Sequence, residues 1–434
     1  MLRLAGPLIL AEVGWVAMGM VDTAMVGRLP NGAGAIAAAS LGNVLFYAVG
    51  IFGGGMLLGL DTLVSQSFGA GRVDDCHRSL LNAIYLISLF TPPLIFLALS
   101  LLPVLYWSGI PHTILDVTTP YLRALLWSAP PLMFYFAFRR YLQGMNFVKP
   151  VAMALITANL VNLFLNWVFI YGHLGVPAMG VEGSAWATVI ARVFMAGVLL
   201  LAIVHYERTH KMGLRAVSFR PDVARMKRLL ALGIPASLQI TFEIGAFATC
   251  TALAGQLGAV ALASHQIALH MASLAFMIPL GMSAAAAVRV GQGLGRRDPN
   301  GASRSGWTAI ALGGAFMCCT AVLFLSVPRQ IIRLYTPDPE VIATGILLLT
   351  MAALFQIFDG IQGVAVGALR GAGDTRTPML AHLLVDWGIG VPLGYWLCFK
   401  MGWGAAGLWV GLSVAMILVG IVLLAVWRRR VQAF

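Results

Sequence analysis

The chain has 434 residues, 60% of them apolar and only 10% charged, with 48 glycines and a mean hydropathy of +0.88. Soluble domains carry about a quarter charged residues, so this composition excludes a water-soluble catalytic domain and describes an all-α membrane protein almost end to end. The formal charge of +12 sits in short loops between apolar runs, where the cytoplasmic excess of Lys and Arg in membrane proteins accounts for it, and no nucleic acid is expected as a partner. The five cysteines, Cys76, Cys250, Cys318, Cys319 and Cys398, fall in or beside apolar segments without paired spacing, so neither disulfide nor metal is inferred from them.

Apolar runs long enough for a bilayer core, about 20 residues, lie at 5–27, 35–67, 80–104, 117–145, 151–171, 181–205, 226–255, 260–291, 304–327, 341–370, 378–399 and 403–427. These are twelve expected transmembrane helices. The first run begins at once and is too long for a signal-peptide core, so it is expected to be retained. Of the 28 basic residues, all but Arg28, Arg123, Arg192, Arg329, Arg333 and Lys400 lie at the termini or beside even-numbered gaps. That bias places both termini on the cytoplasmic side of a multi-pass protein. The longest polar gap suggests a division into an N-terminal six-helix lobe at 1–205, a cytoplasmic linker at 206–224 and a C-terminal six-helix lobe at 225–434.

The two halves repeat. Pro7 meets Pro235, Gly27 meets Gly255, "LQG" at Leu142 meets "LRG" at Leu369, Pro150 meets Pro378, and Gly180 and Gly183 meet Gly404 and Gly407, at offsets of 224 to 228 residues. "FGAGRVDD" after span 2 meets "GLGRRDP" after span 8, placing Gly69, Gly71, Arg72 and Asp74 on Gly293, Gly295, Arg296 and Asp298. Because each half holds an even number of spans, the halves form two six-helix bundles related by a parallel internal repeat, a transporter architecture with a central cleft.

"VDTAMVGRL" on span 1, "LVSQSFGAGR" after span 2, "ASHQIALHMASLAFMIPLGMSAAAAVRVGQGLGRRDP" on span 8 and "FDGIQGVAVGALRGAGDTRTP" on span 10 resemble the MATE multidrug exporters, and within them the NorM-like branch. The resemblance covers all twelve helices. It implies a secondary antiporter of a bacterial inner membrane that exports lipophilic organic cations against inward Na⁺ or H⁺ by alternating access, with no cofactor besides that ion, and acting as a monomer. It also assigns cation or proton coupling to Asp22 of the "VDT" segment and to Glu243 and Asp359 in spans 7 and 10, the last two being candidates for a Na⁺ site.

An ionisable group at bilayer depth costs about 2.5–3.5 kcal/mol on insertion scales, so each needs a partner, a cavity or a task. In chain order, Glu12 lies nearly three turns before Asp22 on roughly the same face of span 1, toward the expected cleft. Asp22 is either a coupling acid or a capped helix end. Asn162 and Asn166, at i and i+4 on span 5, share a face and offer amide oxygens to a hard cation, or they glue helices. Some relatives in the resembling family carry Asp where Asn166 stands, which leaves one formal charge here instead of two. Glu243 and Asp359 are carboxylates from different helices. Gln266 follows His265 on span 8, either lining the cleft or packing between helices. Phe355 is one turn before Asp359 and offers an aromatic face to a cation. His382 and Asp386, at i and i+4, read first as a structural pair and second as a relay.

There is no nucleophile with its base, no metal cluster and no G-x-x-x-x-G-K-[ST] loop, so neither enzyme chemistry nor an on-chain ATPase is expected. The alternative is a flippase or exporter of a lipid-linked or anionic precursor, which would call for basic residues along the cavity. The interior acids favour cationic cargo instead.

Overall fold

In the computed structural model, described for residues 2–107, 111–210, 213–214 and 217–434, the chain is helical throughout, with no strand among the described residues. Lys211 and Arg215, in the expected linker, lie outside the described residues. The helices are α1 (Leu2–Val26), α2 (Gly32–Met56), α3 (Gly59–Gly69), α4 (Val73–Tyr106), α5 (His112–Leu126), α6 (Ala129–Gly144), α7 (Lys149–Tyr171) and α8 (Gly180–His210). They continue with α9 (Val223–Gln256), α10 (Ala259–Gly295), α11 (Pro299–Ser326), α12 (Pro328–Arg333), α13 (Pro339–Gly371) and α14 (Arg376–His382). A π-helical stretch, Leu383–Gly390, then α15 (Val391–Tyr395), a second π stretch, Trp396–Lys400, and α16 (Ala405–Gln432) complete the chain.

Ten helical stretches among the described residues are long and apolar enough to cross a bilayer. The other two expected spans are helical but altered in winding. Span 4 is split into α5 and α6 at Trp127 and Ser128, ahead of Pro130 and Pro131, which lack the amide hydrogens a continuous helix would use. Span 11 runs from Arg376 to Lys400 but widens twice, its π turns ending where Val391 N–H bonds to Asp386 O and Met401 N–H to Trp396 O. The chain is thus an all-α membrane protein of twelve transmembrane helices in two bundles.

One compact unit is Leu10–Gly233; the other is Ile234–Phe434 together with Met1–Ile9. This division differs from the lobes expected at 205 and 225. The polar gap is tied into the first unit: Tyr206–His210 continues α8, Asp222 N–H donates to Asn82 Oδ1 of α4 at 2.8 Å, Tyr85 OH donates to the Phe219 carbonyl, and Arg225 pairs with Asp75 at 2.7 Å. The unit boundaries instead fall inside α1 and α9, each beside its internal proline, Pro7 and Pro235.

In the first unit α7 packs on α8 and α2 on α5, around a core that includes Phe46, Tyr121, Tyr135, Tyr141 and Leu155. In the second, α13 runs through the middle, packed by α10, α11 and α16. Its glycines Gly367 and Gly371, four residues apart, let the α10 backbone close in at Ser283 and Ala287, and Gly363, one turn earlier, makes room for the Phe276 ring.

The repeat is visible in the backbone. Left-handed residues occur in matched turns: Gly71 (φ 74°) with Arg297 (φ 60°), Asn146 (φ 66°) with Gly373 (φ 85°), and Gly180 (φ 57°) with Gly404 (φ 58°). At the first pair the hydrogen bonds correspond as well, Arg72 N–H to Ser67 O and Asp298 N–H to Gly293 O. The structure therefore sets Gly71 on Arg297 and Arg72 on Asp298, correcting by two residues the pairing that matching letters gave.

Candidate functional site

Within the second unit, α9 presents Glu243 and α13 presents Asp359. Gln362, one turn after Asp359, joins them: its Nε2 donates to Glu243 Oε1 at 2.9 Å and to Asp359 Oδ1 at 3.2 Å. Gln239, one turn before Glu243, donates its Nε2 to the other oxygen, Oε2, at 2.8 Å. Asp359 is 7% exposed and Gln362 fully buried. Among the described residues neither acid forms an ion pair with Lys or Arg. The hydrogen bonds that hold the two carboxylates thus come from neutral amides, with His382 the nearby ionisable base. The sequence reading missed Gln239 and Gln362, although i−4 and i+3 spacing from the two acids places them on the acids' own faces.

Beside this pair, His382 Nδ1 and Asp386 Oδ2 lie 2.8 Å apart, both residues buried. The π winding begins at Leu383, directly after His382, and includes Asp386. Trp387 Nε1 donates to the carbonyl of Phe242, the neighbour of Glu243, at 3.0 Å.

In the first unit, Asp22 of α1 accepts from Asn166 Nδ2 at 2.6 Å and from Thr188 Oγ1 of α8 at 3.1 Å, and Asn166 Nδ2 also donates to Asn162 Oδ1 at 3.1 Å. Both asparagines are fully buried. Asn166 Oδ1 has no hydrogen-bond partner, so an acceptor oxygen stands unused beside the Asp22 carboxylate. Thr188 carried no signal in the sequence. Arg192, buried in the same unit, donates to Ser128 Oγ and lies 4.5 Å from the Phe46 ring centre and 5.8 Å from that of Trp15, which supplies the partners its position in span 6 demands.

Three candidates are placed elsewhere. Glu12 does not stand open to a cleft: it is buried in an ion pair with Arg139 of α6, because a lone carboxylate on that face needs a counter-charge. Phe355 is 1% exposed and packs in the core of its unit with Trp409, ring centres 5.8 Å apart, so it presents no free face to a cation. Gln266 is exposed, with no hydrogen bond to the carboxylate pair. Its neighbour His265 is buried and occupied at both nitrogens, Trp409 Nε1 donating to Nδ1 at 3.0 Å and Thr251 Oγ1 standing 2.8 Å from Nε2.

Two bundles of membrane helices, each with polar and acidic groups held at depth, define a multi-pass membrane transporter. The family model MatE matches twice, at residues 7–168 and 235–396, one match in each half and beginning at the paired prolines Pro7 and Pro235. The chain belongs to the MATE family, NorM-like branch, and is a transporter, not an enzyme. It is 34% identical over 436 residues to the probable multidrug resistance protein NorM of Mesorhizobium japonicum, covering 99% of this chain and 93% of that one. It is 33% identical to the protein of the same name from Brucella suis biovar 1, covering 99% and 92%. Among solved structures, the eukaryotic MATE transporter AtDTX14 superposes with a TM-score of 0.88 at 20% identity, over 100% of this chain and 96% of that one. A MOP superfamily transporter from Pyrococcus furiosus, described as having a binding pocket of reverse polarity that suggests a different function, superposes equally well, with a TM-score of 0.88 at 20% identity over 100% and 95%. The shared fold therefore leaves the cargo to be argued from the side chains.

Proposed function

We propose that the chain is a multidrug efflux transporter of a bacterial inner membrane, exporting lipophilic organic cations in exchange for inward Na⁺ or H⁺ by alternating access. It works as a monomer with both termini cytoplasmic. The observation that carries this reading is the Glu243–Gln362–Asp359 bridge, two interior carboxylates with no Lys or Arg ion-pair partner among the described residues. Glu243 and Asp359 form the principal coupling site, where a cation and a cationic cargo compete for the same negative charge. Asp22, with Asn162, Asn166 and Thr188, forms the secondary one. The names of the bacterial relatives support multidrug cargo.

An anionic cargo would need free basic groups at depth. Three interior arginines among the described residues are committed: Arg139 to Glu12, Arg140 to Asp61 at 3.3 Å, and Arg192 to Ser128 and two aromatic faces. The test is efflux of tetraphenylphosphonium from proteoliposomes of purified protein under separately imposed Na⁺ and pH gradients. Acceleration by one gradient is expected. Failure of both gradients to move the cation, with transport of an anionic lipid precursor instead, would overturn the reading.

A further inference from the structure

The amide of Gln362 is engaged on one side only. Its Nε2 serves both Glu243 Oε1 and Asp359 Oδ1, while its Oε1, in a fully buried side chain, has no hydrogen-bond partner. A buried carbonyl without a partner costs about 1–3 kcal/mol, so such an atom calls for a task. Turning the amide by half a rotation about its last torsion breaks no hydrogen bond of Oε1, because Oε1 makes none. That torsion is a soft sp³–sp² one, broad and roughly two-fold. The carboxylates decide which end faces them. Two anions accept from N–H and repel an oxygen, whereas a carboxylic acid hydrogen or a cation between them calls for an oxygen acceptor.

Gln239 supplies the contrast. It donates to Glu243 from the same helix, and its Oε1 is not among the buried atoms without a partner. Gln362 reaches across from α13 to α9, and among the described residues it alone hydrogen-bonds both acids.

We propose that Gln362 is a rotating positioning residue for ion coupling, its amide nitrogen holding the two carboxylates while they are anionic and its amide oxygen turning inward when a proton or cation is loaded. The proposal rests on the functional reading above and deepens it. In the loading step the two N–H···O bonds are given up. One bond replaces them, from the carboxylic acid hydrogen, or the cation, to Oε1. No charge is created or lost by the amide itself, so the switch follows the occupancy of the pair. A residue at this position that lacks either a donor or an acceptor supports at most one of the two states.

The experiment compares Gln362→Met, which keeps the length but neither donates nor accepts, with Gln362→Glu, which only accepts when ionised. Both are reconstituted as full-length protein, and two rates of tetraphenylphosphonium movement are measured: down its own gradient, and driven by the ion gradient that drives the unaltered protein. Gln362→Met is expected to lose at least ten-fold more in driven transport than in downhill movement. Gln362→Glu is expected to bind tetraphenylphosphonium at least as tightly as the unaltered protein and still to lose driven transport at least ten-fold. A residue that merely packed the helices would lose both rates together. Should Gln362→Met fail to fold, Gln362→Glu decides alone, since tight binding without coupling has no packing explanation. Driven transport within two-fold of normal in either folded variant, with Glu243→Gln inactive, overturns the rotating amide and leaves the functional reading standing. Absence of any driven transport by the unaltered protein overturns both.

Discussion

Trp387 Nε1 donates to the Phe242 carbonyl across 3.0 Å, fastening the π-wound part of span 11 to the turn of α9 that carries Glu243. A Cβ on Gly245, one turn further along α9's indole-facing side, would meet the same ring at 3.0 Å. Replacing Trp387 with Phe keeps most of the ring and removes the N–H. The expected loss is about 0.5–1.5 kcal/mol of stability, the net worth of one hydrogen bond, read as a lowered thermal midpoint in detergent. Gly245→Ala should strain the same contact, and an unchanged midpoint in both variants would show that the fastening contributes nothing.

Asp359→Asn and Glu243→Gln should each abolish gradient-driven efflux while the protein remains folded, because each removes the charge that a proton or Na⁺ exchanges against the cargo. Asp22→Asn should impair transport less, since Asn166 and Thr188 leave the first unit only that one carboxylate in its cluster. Loss of transport on Asp22→Asn, with Asp359→Asn active at equal expression, would invert the ranking.

Glu12 and Arg139 predict a stability effect of a different kind. Removing one member of a buried ion pair leaves the other charge uncompensated, at a cost of about 3–5 kcal/mol, whereas replacing both with apolar groups is often neutral. Glu12→Leu alone should therefore lower the thermal midpoint more than Glu12→Leu combined with Arg139→Met. Equal destabilisation by the single and the double change would refute the pairing.

Acid should reveal the cap of α9. The Arg225 backbone N–H, bonded to Asp222 Oδ1 at 3.0 Å, and the Arg225 guanidinium together hold the Asp222 carboxyl below the usual carboxylate range. A group whose folded value lies below its unfolded one, about 3.9, contributes stability that is complete above that unfolded value and is lost as pH falls through the folded one. The difference in thermal midpoint between the unaltered protein and Asp222→Asn should hold constant from pH 7 to about 5, then shrink in stronger acid. A difference that grows on acidification would contradict the assignment.

Much of this was written in the chain's apolar pattern, because a bilayer demands long apolar helices and tolerates few charges. The twelve spans, the repeat and the interior acids follow from it. What the letters left open is rotation about each helix axis. A helix that is apolar all round has no polar face to fix that rotation, so nothing local distinguished Phe355, buried against Trp409, from a cleft residue, or Gln266 from a ligand. Glu12 looked free because its partner Arg139 stands on a helix 127 residues away. The unit boundaries escaped for a related reason: the polar gap is the obvious place to cut, yet its hydrogen bonds to α4 bind it to the first unit.

The matched turns at Gly71 and Arg297 make the chain a small alignment of itself, in which each copy records an accepted solution to the other's geometry. One copy meets the left-handed turn with glycine, the other with arginine at φ 60°, and a side chain in that conformation costs about 1–2 kcal/mol. Asn146 and Gly373 present the same choice in the opposite order. Copying the glycine from the first half into the second, as Arg297→Gly, is therefore a stabilising exchange that the protein itself suggests. Duplication has left it with its own source of variants for engineering.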